Sequence, residues 1–139
     1  MNKKPLRIVT LFLVCSAVLL SACTSPHNPI EEDEVKEIII YDSKYDSSTY
    51  HTMSDDEISK FVEWFNDCTD IRLNSEFAGE VSIVGIIITL KDDKAISIVE
   101  SGENFEVQFY DPAKGKTVSY WAKQKEIEGL LKAMDHSVD

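Results

Sequence analysis

The side chains that could act as bases or metal ligands are few and widely spaced in this chain. Its three histidines are His27, His51 and His136, and no two of them stand at the short spacing of a metal site. His51 is the one histidine within the predicted domain that could serve as a catalytic base, and its place beside Tyr50 in a short predicted strand favours a structural or surface role. We therefore predict no enzymatic activity, no cofactor and no metal.

Two groups of carboxylates could be acid–base pairs or metal ligands. Ser54-Asp-Asp-Glu57 has the form of a capping box, in which the serine accepts from a backbone N–H and the glutamate reaches back. Carboxylates in a first helical turn are also stabilised by the helix dipole. Lys91-Asp-Asp-Lys94 lies between two apolar runs and is typical of a solvated hairpin turn. The sequence favours structural roles for both groups.

The amino-terminal residues carry a different chemistry. Lys3, Lys4 and Arg7 precede thirteen uncharged residues, Ile8 to Leu20. A basic segment followed by an apolar segment and small residues is the pattern of a secretory signal peptide. The run is too short to cross a bilayer, which takes about 17–25 apolar residues.

The end of this run, Leu20-Ser-Ala-Cys23, resembles the lipobox of bacterial lipoprotein precursors. The resemblance implies a diacylglyceryl group on the Cys23 thiol and cleavage between Ala22 and Cys23. It leaves open whether the new amino group also receives a fatty acyl chain such as palmitate. Residues 1–22 are then the signal peptide, and the expected location is the outer face of the cell membrane, in a Gram-positive bacterium. An ordinary secreted protein and an uncleaved anchor are the alternatives.

Cleavage would leave 117 residues with 11 basic and 25 acidic side chains, a net charge of −14. This length suits one domain. The charge disfavours nucleic acid and anionic lipid as partners, because like charges repel. The protein would then be attached to the membrane through its lipid alone. Its acidic surface is either simply solvated or, as the alternative, binds a basic surface of another protein.

Residues 23–34 are polar, acidic and interrupted by proline, so we interpret them as the lipidated cysteine and a flexible tether. With Cys23 lipidated, Cys68 has no partner for a disulfide, and a buried thiol is favoured over a reactive one. The predicted domain covers residues 35–134, with a tail at 135–139.

Apolar periodicity predicts the elements of that domain. We expect an α+β fold with a single antiparallel sheet, a β-meander after the first helix, and two helices packed against the sheet. Predicted strands cover residues 35–41, 49–52, 81–90, 95–99, 105–110 and 117–121, helices cover 54–65 and about 123–134, and residues 66–80 are a loop. In the hairpin at Lys91–Lys94, a two-residue turn would place Ile87 opposite Ile98. The second helix has no good N-cap, and Gly129 weakens it.

The mature domain resembles small lipoproteins of Gram-positive bacteria that carry a YhfM-like domain. The matching segments are Thr52 to Phe61, Leu90 to Lys94, with Asp93 where such a turn usually has glycine, and Tyr120 to Leu131. The resemblance implies the same kind of fold and brings no known activity.

These features support a non-catalytic domain that binds a protein or another component of the cell envelope. Tyr41, Tyr45 and Tyr50 surround one predicted loop and could form a recognition surface, since tyrosine is enriched at interfaces. The alternative function is an inhibitor or immunity-type protein against a basic toxin or envelope hydrolase. A small enzyme is the third hypothesis.

Overall fold

A computed structural model of the protein describes residues 25–42, 49–75 and 84–135. The elements are a 3-10 turn (Glu32–Glu34), β1 (Val35–Asp42), β2 (Thr49–Thr52), α1 (Asp55–Asn66), β3 (Thr69–Leu73), β4 (Val84–Leu90), β5 (Ala95–Ser101), β6 (Asn104–Asp111), β7 (Lys116–Lys123) and α2 (Lys125–Asp135). The seven strands form one antiparallel sheet in the order β2-β1-β4-β5-β6-β7-β3. The prediction of an α+β fold with a single antiparallel sheet and two helices is confirmed.

The strand β3 lies where the sequence predicts a loop. It pairs with β7 at the edge of the sheet, next to a strand about fifty residues later in the chain. Four of its five residues are exposed, so it lacks the alternation of apolar and polar residues that marks a half-buried strand. Its register shifts between Thr69 and Arg72, and Asp70 has a positive φ of 53°. Such irregularities are common at sheet edges.

The core lies on the face of the sheet that meets the helices. The cross-strand register aligns Ile38, Ile88, Ile96, Phe109 and Val118 in one row across five strands. α1 packs against β1, and α2 packs against β4 and β5. Phe61, Val62 and Phe65 of α1 and Ile127 and Leu131 of α2 are buried, as the helical spacing predicts.

The two helices begin with different caps. At α1 the Ser54 backbone N–H donates to Glu57 Oε2 over 2.8 Å, which confirms the capping box. At α2 the side chain of Gln124 takes the corresponding place, because its Oε1 accepts from the backbone N–H of Glu126 at 2.7 Å and of Ile127 at 3.0 Å. Glutamine is not among the preferred N-cap residues, which is why the sequence predicted no good cap there.

The β4–β5 hairpin corrects the predicted register. Ile87 pairs with Ser97, and Ile98 pairs with Ile86 rather than with Ile87. The turn is one residue longer than predicted: Leu90 N–H donates to the Lys94 carbonyl, and Asp93 has a φ of +63°. A three-residue loop that ends in a left-handed residue is a common hairpin connection. Asp93 thus takes the conformation that glycine usually supplies.

Candidate ligand-binding cleft

The segment before β1 is fastened to the end of helix α1. Ile30 is buried, with 4 % of its surface exposed. Its backbone N–H donates to Asn66 Oδ1 over 2.9 Å, and Asn66 Nδ2 donates to the Ile30 carbonyl over 2.9 Å. Since Asn66 is the last residue of α1, one side chain joins the helix end to the amino-terminal segment.

His27 makes a second attachment in the same segment. Its Nδ1 lies 2.7 Å from the hydroxyl oxygen of Tyr120 on β7. The imidazole also packs on Phe65, with ring centroids 4.8 Å apart. Burial lowers the pKa of His27, and the backbone carbonyls of Phe65 and Asn66 offset part of this. Burial raises the pKa of Tyr120, so both groups are neutral at physiological pH.

Within the segment predicted to be a flexible tether, residues 23–34, two residues contact the domain. His27 bonds Tyr120 and Ile30 is buried, whereas Ser25, Asn28 and Pro29 are exposed. The composition of the segment is polar and acidic, but Ile30 is a large apolar residue, and it anchors the whole segment. The sequence signal that could have shown this is the single isoleucine between Pro29 and the acidic run.

A cleft of about 500 Å³ lies between this segment and the sheet. From the amino-terminal segment it is lined by Ser25, Pro26, Asn28, Pro29 and Ile30, and from the β6–β7 turn by Pro112 and Lys114. The floor consists of apolar and aromatic side chains of the core face, namely Ile96, Phe109, Val118 and Tyr120. A volume of this size and a largely apolar floor with a few polar groups are typical of small-molecule sites.

The two lysines at the rim of the cleft are paired with aspartates. Lys94 Nζ lies 2.5 Å from Asp92 Oδ2, and Lys114 Nζ lies 3.2 Å from Asp111 Oδ2. Each of these two ion pairs is neutral overall, so the lysines add no net positive charge to the rim. A ligand held here would be retained by its apolar part rather than by its charge.

Two large apolar residues are exposed in the described part of the chain, and both are at the cleft, although the alternation of β6 directs the side chain of Tyr110 to the face of the sheet opposite to Phe109. Leu73, the last residue of the edge strand β3, is 67 % exposed, and Tyr110 near the end of β6 is 59 % exposed. Scattered exposed apolar residues are normal on protein surfaces. Leu73, which pairs with Tyr120, is the one of the two whose side chain is on the face of the sheet that bears the cleft.

The residues predicted to form sites are distributed as follows. Ala22, Cys23 and Tyr45 lie outside the described residues, as does the side chain of Tyr50, whose backbone pairs with Tyr41. The structure thus brings Tyr41 and Tyr50 to neighbouring strands, and neither residue lines the cleft.

Tyr41 has a structural role in the described part of the sheet. It is half-buried, and its ring lies over Gly85, its partner on β4. A Cβ at position 85 would lie 2.5 Å from the Tyr41 hydroxyl oxygen, so glycine is needed for this close approach. The hydroxyl bonds Ser97 on the next strand, while burial raises the pKa of Tyr41.

The remaining candidate groups are engaged in local contacts. His51 Nε2 lies 3.3 Å from Glu57 Oε1 on the surface. Burial raises the pKa of the Cys68 thiol to about 12, and its Sγ donates to the Trp64 carbonyl over 3.8 Å, as a buried thiol would. Within residues 25–42, 49–75 and 84–135, no group of three His, Cys, Asp or Glu side chains is arranged to hold a metal ion.

One buried carboxylate was not expected from the sequence. Glu106 is on the face of β6 that alternation predicts to be wet, yet it is 6 % exposed. It accepts hydrogen bonds from the Ser119 hydroxyl and, over 2.8 Å, from Asn74 Nδ2. These bonds give the buried carboxyl group hydrogen-bond partners and fasten the chain after β3 to the neighbouring strands.

Comparison with known proteins gives no relative for this chain. No family model matches it, and no curated protein or solved structure is significantly similar to it. Among the described helices, none is long and apolar enough to cross a membrane.

Proposed function

We propose that this chain is a membrane-anchored, extracytoplasmic lipoprotein whose folded domain binds a component of the cell envelope without catalysis. The signal peptide is residues 1–22, Cys23 carries the lipid, and the domain follows. The observation that carries the binding role is the cleft whose wall begins at Ser25, two residues after the lipidated cysteine. A ligand in this cleft would lie beside the anchor.

In this proposal the scaffold of the cleft is the β4–β7 meander with both helices packed on one face. Phe109 and Val118, neighbours across β6 and β7, hold the floor in place. The helix end at Asn66 holds the wall of residues 25–30. The cleft therefore depends on rigid elements, as a preorganised binding site requires.

The ligand that suits this cleft has an apolar portion that reaches the floor and a polar portion at the rim. Apolar burial supplies about 25 cal/mol per Å², whereas the rim lysines are already compensated by Asp92 and Asp111. Membrane lipids and apolar segments of envelope proteins share this chemistry.

The protonation state of Cys68 and the contacts of His27 favour a binding role over catalysis. A nucleophilic cysteine needs a thiolate, and the raised pKa of Cys68 keeps it protonated. His27 is buried against Phe65 and bonded to Tyr120, so its contacts are those of a wall that is held in place.

The test is photo-cross-linking in living cells. A benzophenone amino acid replaces Phe109 in the floor of the cleft, and in a matched control it replaces the exposed Lys60 of α1. We expect an adduct of defined mass at position 109 that is lost in the Leu73→Lys variant, because a charge at the cleft mouth opposes an apolar ligand. Equal labelling at both positions, or none at 109, would contradict a binding role for the cleft.

The anchor is tested separately by mass spectrometry of the mature amino terminus. The expected species begins at Cys23 and carries a diacylglyceryl group, and Cys23→Ala prevents both processing and membrane retention. An uncut, unlipidated chain in the membrane would refute the lipoprotein proposal.

A further inference from the structure

The cleft crosses five neighbouring strands of the sheet, β4-β5-β6-β7-β3. Each of these strands contributes to its lining, with Leu90, Ile96, Phe109, Tyr120 and Leu73 in that order. Neighbouring strands lie about 4.7–4.9 Å apart, so the four steps from β4 to β3 give a length of about 19 Å. The cleft is therefore a groove that runs across the strands.

This groove is narrow for its length. A volume of about 500 Å³ spread over about 19 Å corresponds to a mean cross-section of about 26 Å². An α-helix with its side chains is about 10–12 Å in diameter and needs roughly three times that area or more. A helix therefore does not fit, and an extended chain is the shape that the groove can hold.

The groove offers few hydrogen-bond partners to an extended peptide. β5 and β6 under its centre are paired on both sides, so their backbone N–H and C=O groups are engaged within the sheet. In the amino-terminal segment, Pro26 and Pro29 have no N–H. The N–H and the carbonyl of Ile30 are both bonded to Asn66. A peptide enclosed here would leave many of its own backbone groups without partners, which is unfavourable.

A hydrocarbon chain has no polar group along its length and suits these surfaces. Ile96, Phe109 and Val118 form an apolar floor. Three of the four prolines of the chain, Pro26, Pro29 and Pro112, line the same groove and add further apolar surface without backbone donors. The lining thus favours an occupant that is apolar throughout its enclosed part.

We propose that the groove binds a single extended fatty acyl chain and leaves the polar end of the ligand at the rim. This inference rests on the proposed function, because it names the ligand of the same cleft. An extended chain of carbon–carbon bonds of about 1.5 Å advances about 1.3 Å per carbon, so about 19 Å holds roughly 15 carbons, close to the length of palmitic acid.

The polar end of the ligand is not selected by charge. Lys94 and Lys114 at the rim are already paired with Asp92 and Asp111. A free fatty acid and one chain of a phospholipid therefore present the same chemistry to the groove. The experiment uses one probe for each source.

The test is photo-cross-linking of the full-length gene product, processed as in the cell and placed in phospholipid nanodiscs. Both probes carry a diazirine in the middle of a palmitoyl chain; one is the free acid and the other a phosphatidylcholine. Mass spectrometry of the digested protein assigns the labelled residues. Gln108 and Thr117 are internal controls, since they flank Phe109 and Val118 on the same strands, face the other side of the sheet and do not line the groove.

We expect at least one probe to label Phe109 and Val118 severalfold more than Gln108 and Thr117. Labelling by both probes would show that the chain is bound whatever its polar end, and labelling by one alone would identify the source. Labelling of the two faces to the same extent would show non-specific insertion into the bilayer and would refute the inference.

Two variants and two competitors test the groove itself. Leu73 is 67 % exposed, so Leu73→Glu adds a charge at the β3 end with little risk to the fold and should reduce labelling of Phe109 severalfold. Thr117→Glu, on the other face, should leave it unchanged. Unlabelled palmitic acid should compete at least about tenfold better than octanoic acid, because each buried methylene changes the Kd by up to about fourfold. Equal competition by the two acids would contradict an acyl-chain groove.

The benzophenone experiment described above separates the two ways of failing. A cross-link from position 109 to a protein, with no labelling of the floor by either probe, would refute the acyl chain and leave the binding role of the cleft standing. No adduct at position 109 and no labelling by the probes would refute both.

Discussion

The two ends of the sheet differ in how completely the same face is covered. Phe105 and Ala122, paired across β6 and β7 at one end, are 0 % exposed. Leu90, Ile96 and Phe109 at the other end are partly exposed, and all three line the cleft. We call these the closed end and the cleft end. Both have apolar sequences, so the difference comes from what packs above them.

The closed end therefore contributes mainly to stability, and the cleft end is where a ligand could bind. At the closed end the core side chains are sealed from water. At the cleft end the cover is the short segment 25–30, held by Asn66 and His27 instead of by a helix. Sites that bind ligands commonly use the less sealed part of a fold, since a fully packed core has no room for one.

The largest effect should come from truncating the closed end. Phe105→Ala should lower the free energy of unfolding by about 3–5 kcal/mol, because it leaves a cavity in a sealed core. Leu73→Ala at the cleft end should change it by less than about 0.5 kcal/mol. Urea denaturation of both variants measures the difference, and similar losses would erase the distinction between the ends.

The attachment of the wall should contribute an intermediate amount. Asn66→Ala leaves the buried N–H and carbonyl of Ile30 without partners, which should cost about 1–3 kcal/mol. Asn28→Ala, in the same segment but exposed, should cost less than about 0.5 kcal/mol. Equal costs in thermal or urea unfolding would mean that the segment is not held by Asn66.

A small gain is expected on helix α2. Gly129 is exposed within the helix, and a Cβ there would meet nothing within 4 Å. Gly129→Ala should therefore stabilise the protein by about 0.5–1 kcal/mol through the lower entropy of the unfolded chain. A loss of stability on calorimetry would show that this helix face is covered in solution.

The smallest effect should be a pH dependence at the cleft end. The pKa of His27 in the folded protein is lower than its ordinary value of about 6.5. The unfolded chain then binds more protons, so stability should fall as the pH drops through about 6.5 and level off below the folded pKa. His27→Gln should remove this slope between pH 5 and 7.5.

Tyr120→Phe is the matched control for this slope. It removes the hydroxyl that bonds His27 but leaves the imidazole buried, and burial is the main cause of the lowered pKa. The slope should therefore persist in this variant. A slope that is unchanged in His27→Gln would assign the pH dependence to another group.

The sequence predicted correctly the elements that are stabilised by contacts between residues close together in the chain. The capping box at Ser54 and the apolar stripe of α1 are set by neighbours within one or two helical turns. The hairpin register failed by one residue because Asp93 adopts a left-handed conformation that is usual for glycine, which lengthened the turn.

Features that depend on distant contacts were missed. β3 exists through pairing with β7, and its own residues are mostly exposed. The cleft is missed for the same reason, since its wall is placed by Ile30 meeting Asn66 thirty-six residues later. Cys68, by contrast, is partly buried against the core beside the end of the α1 stripe, close to the buried thiol that the sequence predicts.

Hydrogen exchange at the Ile30 amide tests the packed wall most directly. That N–H donates to Asn66 Oδ1 within a buried contact, so its exchange should be slowed far below the rate of an unstructured peptide, and Asn66→Ala should restore fast exchange. The amide of the exposed Asn28 serves as the internal reference. Exchange at Ile30 as fast as in an unstructured peptide would show a free tether and would contradict a cleft lined by this packed segment.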